Sequence, residues 1–355
     1  MRRIGIILLT IALLLPACAV TARAATTAEE GGGLDMKEYL FGHIGDSYGW
    51  HVTTINGHHV TIHLPVILHS STSGWHAFSS KHIEEGEVYE GFRLAAKGEK
   101  HEGKLVEETA DGLVKPLDIS ITKNVAGIMF SSLLLILIVL STARWYRKHD
   151  AMEEAPKGFA GVMEMVITMI EDDIIKDSIG KDYKRYSPYL LTAFFFIFIN
   201  NLLGIVPFFP GGANITGNIA VTLALAMCTF IAVNVFGNKH YWKDILWPDV
   251  PVFLKAIPLM PVIEIMGMFT KPFSLMVRLF ANILAGHIML LGVVAMIFLT
   301  ASLGPAINSG LSVVVVIFGV FMDVLELLVA FLQAYVFTML SAVFIGLSRQ
   351  EPETE

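Results

Sequence analysis

Residues 272–300 form a long, mostly apolar stretch with a guanidinium, Arg278, set inside it. A central Arg in a bilayer costs roughly 2.5–3.5 kcal/mol or more, and it cannot escape by losing its proton. Such a group persists where it faces a partner or a wet cavity. The plainer reading, a side chain snorkelling from a helix end, is opposed by the apolar residues on both sides of Arg278. Asn282 follows one turn later, about 40° round a helix, and Ala281 and Ala285 flank that face and keep it shallow. His287 falls about 180° from Arg278 and so serves a different environment.

The rest of the chain fits a polytopic membrane protein. Of 355 residues 54% are hydrophobic and 16% charged, and the mean hydropathy is +0.62. The formal charge of -7 resides in the soluble parts. Residues 1–24 read as a secretory signal: Arg2 and Arg3, an apolar core, then Ala22-Arg23-Ala24 as a small-x-small cleavage site. Leu15-Pro-Ala-Cys18 is a lipobox-like alternative. The other cysteine, Cys228, lies in a span, so no disulfide framework is expected.

Residues 25–118 form an exported extension holding nine of the twelve histidines. Trp50-His-Val-Thr-Thr-Ile55, Asn56-Gly57 and His58-His-Val-Thr-Ile-His63 together signal a β-hairpin. A second strand pair is expected within 82–94, before a polar Glu/Lys-rich stretch to Asp111. His58, His59 and His63 are candidate metal ligands, but no supporting carboxylate is close in sequence, and a small β-rich exterior cap is the simpler reading.

Five crossings are expected within the membrane region, 119–349. The first, about 125–142, precedes Arg144, Arg147 and Lys148, which places its far end in the cytoplasm. Residues 156–179 are amphipathic and read as a helix on the cytoplasmic surface. Spans two and three are about 188–206 and 218–236, and 251–269, with Pro258, Pro261 and Glu264, reads as re-entrant or hairpin-like. Two long helices, about 272–302 and 311–347, follow, then a cytoplasmic tail, 350–355. The last is about 55 Å long, against about 20 residues for a perpendicular span, so it is strongly tilted or lies partly in the membrane plane. The fold class is therefore all-α polytopic, with a small β-containing exported segment.

Three more polar residues stand in the last helix. Asp323 and Glu326 sit among Val, Leu and Phe, and Gln333 shares a face with Glu326, about 20° away. Carboxylates near a His in a wet cleft can relay protons.

The run Lys271-Pro-Phe-Ser-Leu-Met-Val-Arg-Leu-Phe-Ala-Asn-Ile-Leu-Ala-Gly-His287 resembles the signature helix of subunit a of F-type ATP synthases, with its Arg-Leu-Phe-x-Asn-x-x-Ala-Gly pattern. Asn200-Asn-Leu-Leu-Gly-Ile-Val-Pro207 and Asn218-Ile-Ala-Val-Thr222 resemble, less closely, the family's second and third spans. The resemblance covers about 119–349. It implies an ion-translocating stator with Arg278 as the essential arginine, Asn282 as the polar residue after it and Gln333 as the glutamine facing it. It also implies Glu264 as an acidic residue of the outer half-channel, and His287 with Glu326 as a pair that some bacterial members carry in the opposite order. Asp323 matches no family position, and reads as an extra channel carboxylate or as a group near the outer mouth. The implied partners are the c-ring, the b-subunit stalk and the rest of the synthase, in the bacterial inner membrane. No cofactor and no nucleic acid is implied. A secondary transporter would usually show two homologous halves, and none is seen. Nor is any hydrolase motif such as HExxH or Gly-x-Ser-x-Gly present.

Overall fold

A computed structural model describes residues 45–55, 58–96, 98–99, 101–109, 112–149, 155–206, 211–246, 259–300 and 304–350. The expected signal at 1–24, the turn at 56–57, the loop at 207–210, the segment 251–258 and the tail 351–355 lie outside the described residues. Contacts divide the chain into two units. One takes its described residues from 1–130, 206–213 and 292–318, the other from 131–205, 214–291 and 319–355.

The first unit contains the β cap. Strands β1 (Gly49–Ile55) and β2 (His58–His63) form the expected antiparallel hairpin, with Gly49 opposite His63 and an irregularity between His51 and Thr53. Strands β3 (Pro65–Ser70) and β4 (Gly74–Ser79) form a second hairpin. The second strand pair expected within 82–94 is not there. Residues Ser80–Gly86 are a 3-10 helix. A tight turn with positive φ at Glu90 and Gly91 then links Tyr89 to Phe92. Strand β5 (Phe92–Leu94) pairs instead with β6 (Leu105–Thr109), inside the stretch read as merely polar, and β6 pairs with β7 (Gly112–Val114). The reason is Glu107. Its charge masks a strand in the sequence, yet it is buried and accepts from Ser70 Oγ at 2.6 Å and Thr72 Oγ1 at 2.7 Å. These donors hold its carboxyl below the usual range.

Tyr48, Val66, Leu68, Ile83, Phe92 and Leu105 make the cap's core. Strand β8 (Leu117–Asp118) adds to β3 and gives the order β4-β3-β8. The backbone then passes directly into helix α1 (Lys123–Lys148). Ile119 and Ile121 donate to Ile67 O and Pro65 O, and Lys123 N donates to Ser47 O. Asn124 N donates to Asp46 Oδ1. Two otherwise orphaned donors at the start of α1 are thus satisfied by the cap itself.

Helix α2 (Phe159–Ile170) extends to Ile179, and the chain then turns at Gly180, whose φ is 71°. It runs through a π-helical stretch (Glu171–Lys176), a single α-turn (Asp177–Ile179) and a 3-10 turn (Gly180–Asp182) into α3 (Tyr183–Ile205). Only part of the expected amphipathic face is buried. Met163 and Ile170 are inside, whereas Phe159 and Val162 are exposed. The main apolar anchor is the isoleucine set Ile170, Ile174, Ile175 and Ile179. Helices α4 (Ile219–Val235) and α5 (Lys239–Leu246) follow, and Asn218 caps α4 by accepting from Ala220 N.

Helix α6 (Leu259–Leu299) has 41 residues and α7 (Pro305–Arg349) has 45. The expected hairpin before Pro272 is overturned within the described residues, because α6 is continuous from Leu259. Pro261 lies in its first turn, where a missing N–H breaks no bond, and Pro272 is carried inside the helix. Among the described residues four helical segments are long and apolar enough to cross a membrane: Lys123–Lys148, Phe159–Ile205, Val262–Ile297 and Asn308–Arg349. Helix α4 is a shorter apolar helix of 17 residues.

The far end of α7 is fixed firmly. Arg349 pairs with Asp182 and donates to Phe236 O, while Asn238 N donates to Ser348 O at 2.9 Å. Gly346 lets α7 approach Ser178, since a Cβ there would sit 2.0 Å from its carbonyl oxygen.

Candidate functional site

Helix α6 buries one stripe, Leu275, Met276, Leu279 and Ile283. Arg278 lies beside that stripe and is half-buried. Ser274, Val277, Ala281, Asn282 and Ala285 around it are exposed. The small residues at 274, 281 and 285 leave the guanidinium in a shallow open strip. Among the described residues no hydrogen bond or ion pair engages it.

Helix α7 buries Glu326, Ala330, Gln333, Ala334 and Phe337 along one face. Ala330 and Ala334 are small, so neighbours come close. Asn201 Nδ2 donates to Ala330 O at 3.2 Å, and Thr216 Oγ1 donates to Asn201 Oδ1 at 2.6 Å. That chain of bonds holds α3 and the residues before α4 against the middle of α7.

Two contacts set the register of α6 on α7. His287 Nδ1 lies 3.2 Å from Glu326 Oε1. Lys271 Nζ stands 5.6 Å from the centre of the Phe344 ring. The helices are therefore antiparallel, and interpolation between the contacts puts Arg278 opposite about Val336, roughly one turn from Gln333. Gly286 makes room for the Glu326 carboxylate, because a Cβ there would stand 3.3 Å from Oε1.

Glu264 does not join that carboxylate. The continuous helix puts it 14 residues before Arg278, about 21 Å, whereas His287 is nine residues after, about 13 Å. Glu264 and the His287–Glu326 pair thus lie on opposite sides of Arg278 along α6. Glu264 is exposed and stands near α5. Burial, and then its negative charge, raise the pKa of the Tyr241 hydroxyl, which donates to Asn234 Oδ1 at 3.1 Å. A cavity of about 10 Å³ lies among Thr229, Asn234, Tyr241, Lys271, Pro272 and Phe344, with room for one water.

A family model described as "ATP synthase A chain" matches residues 128–346. The chain belongs to that family. A relative called ATP synthase subunit a 2 from Chlorobaculum tepidum is 44% identical over 244 residues, 66% of this chain and 65% of that one. ATP synthase subunit a from Chloroherpeton thalassium is 42% identical over 65% of this chain and 67% of its own length, and that of Myxococcus xanthus 42% over 65% and 74%. The matches thus span about two thirds of the C. tepidum and C. thalassium chains. A second model, described only as a domain of unknown function, matches residues 39–123, ending where α1 begins.

The family match contains Glu264, Arg278, Asn282, His287, Asp323, Glu326 and Gln333. Asp323 is half-buried, three residues before Glu326. Of the three candidate metal histidines, the side chains of His58 and His59 lie outside the described residues, and β2 puts His58 at the opposite parity from His59 and His63. Sequence reasoning missed a hydroxyl chain from Tyr189 to Thr229 (2.9 Å) to Ser341 (3.1 Å), and the Asn234–Tyr241 bond. Thr229 and Asn234, with Thr222, are the buried polar residues of a mostly apolar helix, and their presence there was the available signal.

Proposed function

We propose that this chain is the proton-translocating stator subunit of an F-type ATP synthase, with no catalytic step of its own. The open strip around Arg278 carries this reading: a permanent cation at mid-helix depth beside small side chains, with carboxylates beyond it on both sides. The strip fits a neighbouring helix of a rotor ring that bears a carboxylate. Helix α4, at 17 residues, supplies the fifth crossing at the lower length limit of about 17. The positive-inside rule then leaves the β cap outside and Arg349 inside.

A proton enters from outside past Asp323, His287 and Glu326 and neutralises the rotor carboxylate. The neutral site turns into lipid without the cost of a bare charge. On returning to Arg278 it meets a fixed cation that favours the ionised form, and its proton leaves through the cleft at the Glu264 end. Asn282 and Gln333 flank the crossing point and offer it amide groups. The same cation blocks direct passage between the clefts, across which each proton gains about 2.3 kcal/mol per 100 mV. The partners are the c-ring, the b-subunit stalk and the remaining synthase subunits, in a bacterial inner membrane.

The test is ATP-driven acidification of inverted vesicles. Arg278→Ala should abolish it, and Arg278→Lys should restore little, because a compact ammonium can shed its proton where a guanidinium cannot. Normal pumping by the Ala variant refutes the proposal.

A further inference from the structure

Among the described residues nothing covers the outward face of the sheet β4-β3-β8, which is largely apolar. Strand β3 hides Val66, Leu68 and Ser70 and turns Ile67 and His69 outward. On β4 the outward positions are Trp75 and Ala77, and beside β3 the chain at β8 presents Leu117 and Ile119. Pairing makes these neighbours: His69 lies opposite Trp75 on one side and Leu117 on the other, and Ile67 lies opposite Ala77. Trp75 is 63% exposed, Leu117 59% and Ile119 54%. The Trp75 ring meets the His69 ring edge-on at 4.8 Å, so the indole is held in place on the surface.

With Pro65 and Ser79, which pair on the same side, the eight outward residues include no carboxylate, Lys or Arg. On the other sheet, by contrast, Arg93 pairs with Glu99 and Glu108. The apolar face is also close to a bilayer by covalent necessity. Ile119 is four residues from Lys123, where the membrane-length helix α1 begins. The intervening backbone is bonded to the cap, Ile121 N to Pro65 O of β3 and Lys123 N to Ser47 O ahead of β1, so the face does not swing on a loose tether. Extended chain rises about 3.3 Å per residue, which puts Leu117 within about 20 Å of the helix start. Trp at the headgroup level, with an apolar body and one N–H, is favoured at membrane interfaces.

We propose that this sheet face rests on the lipid surface at the N-terminal end of α1, with Trp75, Leu117 and Ile119 seated in the headgroup layer. The cap then acts as a surface float that fixes the entry angle of α1. Lipid is the favoured occupant because the face continues into the membrane helix that it adjoins. The proposal does not depend on the route that protons take.

The experiment uses the full chain with Cys18 and Cys228 replaced by Ser, in nanodiscs of phosphatidylethanolamine and phosphatidylglycerol. Spin labels are placed one at a time by Trp75→Cys, Leu117→Cys, Val88→Cys and Val114→Cys. The last two positions are exposed apolar residues off this face and serve as controls. Labels at 75 and 117 should show an oxygen-to-nickel accessibility ratio several-fold above the controls. A ratio equal to the controls, with nickel freely reaching both labels, overturns the proposal. So does protection from oxygen and nickel together, which would mean that a protein segment, a second copy or another subunit covers the face. Using two positions on separate strands keeps the result readable if either variant folds poorly.

Discussion

Two glutamates, Glu107 in the cap and Glu326 in α7, are almost equally hidden, at 8% and 7% exposure, yet their surroundings have little in common. Glu107 accepts two short bonds from hydroxyls that have no other charge to offer. That arrangement stabilises one state, the carboxylate, and locks β6 to the β3–β4 turn. Glu326 meets an imidazole at 3.2 Å, a group that can itself gain or lose a proton, and has Asp323 three residues away. Burial of an acid alone therefore does not mark a working site. The partner differs: fixed donors make Glu107 an anchor, and a titratable neighbour fits the relay proposed for Glu326.

The comparison is sharpest in transport. Glu326→Gln should slow passive proton flux through the membrane sector by about tenfold or more, the scale on which a positioned proton carrier acts. Glu107→Gln should leave that flux unchanged. Equal flux in Glu326→Gln and the unaltered chain would remove Glu326 from the path.

Stability should show the reverse order. Replacing Glu107 by Gln should weaken the cap by about 1–3 kcal/mol, read as faster hydrogen exchange in β6 of the full chain. The pH dependence has a definite sign. The carboxyl of Glu107 is held below its unfolded value of about 4.3, so its contribution is complete above that pH and fades as pH falls through the folded value. The unaltered cap should loosen on acidification, and Glu107→Gln should flatten that limb. An acid limb of unchanged steepness would mean that other groups carry it.

A smaller effect is expected at Gly286. Alanine there adds a Cβ at 3.3 Å from Glu326 Oε1, so the carboxylate must shift by a few tenths of an ångström relative to His287. Flux in Gly286→Ala should fall a few-fold, less than in Glu326→Gln. A fall as large as that of Glu326→Gln would show that the His287 contact, rather than the carboxylate alone, sets the rate.

How far each region was legible follows from how local its determinants are. Arg278 announced itself because a charge inside an apolar run has few explanations, and the shared face of Glu326 and Gln333 follows from helical periodicity alone. The hairpin of β1 and β2 was equally plain, since Asn-Gly between β-rich runs is a local turn signal. Strand β6 was hidden because Glu107 becomes a core residue only through hydroxyls 35 and 37 positions away. Continuity through Pro272 was hidden for a similar reason: neighbouring helices in a bundle tolerate a lost backbone bond that a local rule treats as a break. The separation of Glu264 from His287 was hidden on the same point, because a hairpin would have returned it to the His287 side and a continuous helix does not. Asn201, read only as part of a motif, takes its meaning from a carbonyl 129 residues away.

The least effect should come from the cap's hairpin histidines. His58 and His59 stand on β2, in a region matched by a family model different from the one that covers the membrane helices. Proton relay needs titratable groups within hydrogen-bond reach of one another along a wet path, and the relay residues named above all lie between 264 and 333 in sequence. The double change His58→Asn with His59→Asn keeps polar side chains at both positions while removing any proton exchange near neutral pH. ATP-driven acidification in inverted vesicles should match that of the unaltered chain within error. A loss would break the division drawn between the two glutamates, because it would bring the cap into the proton path proposed for Glu326.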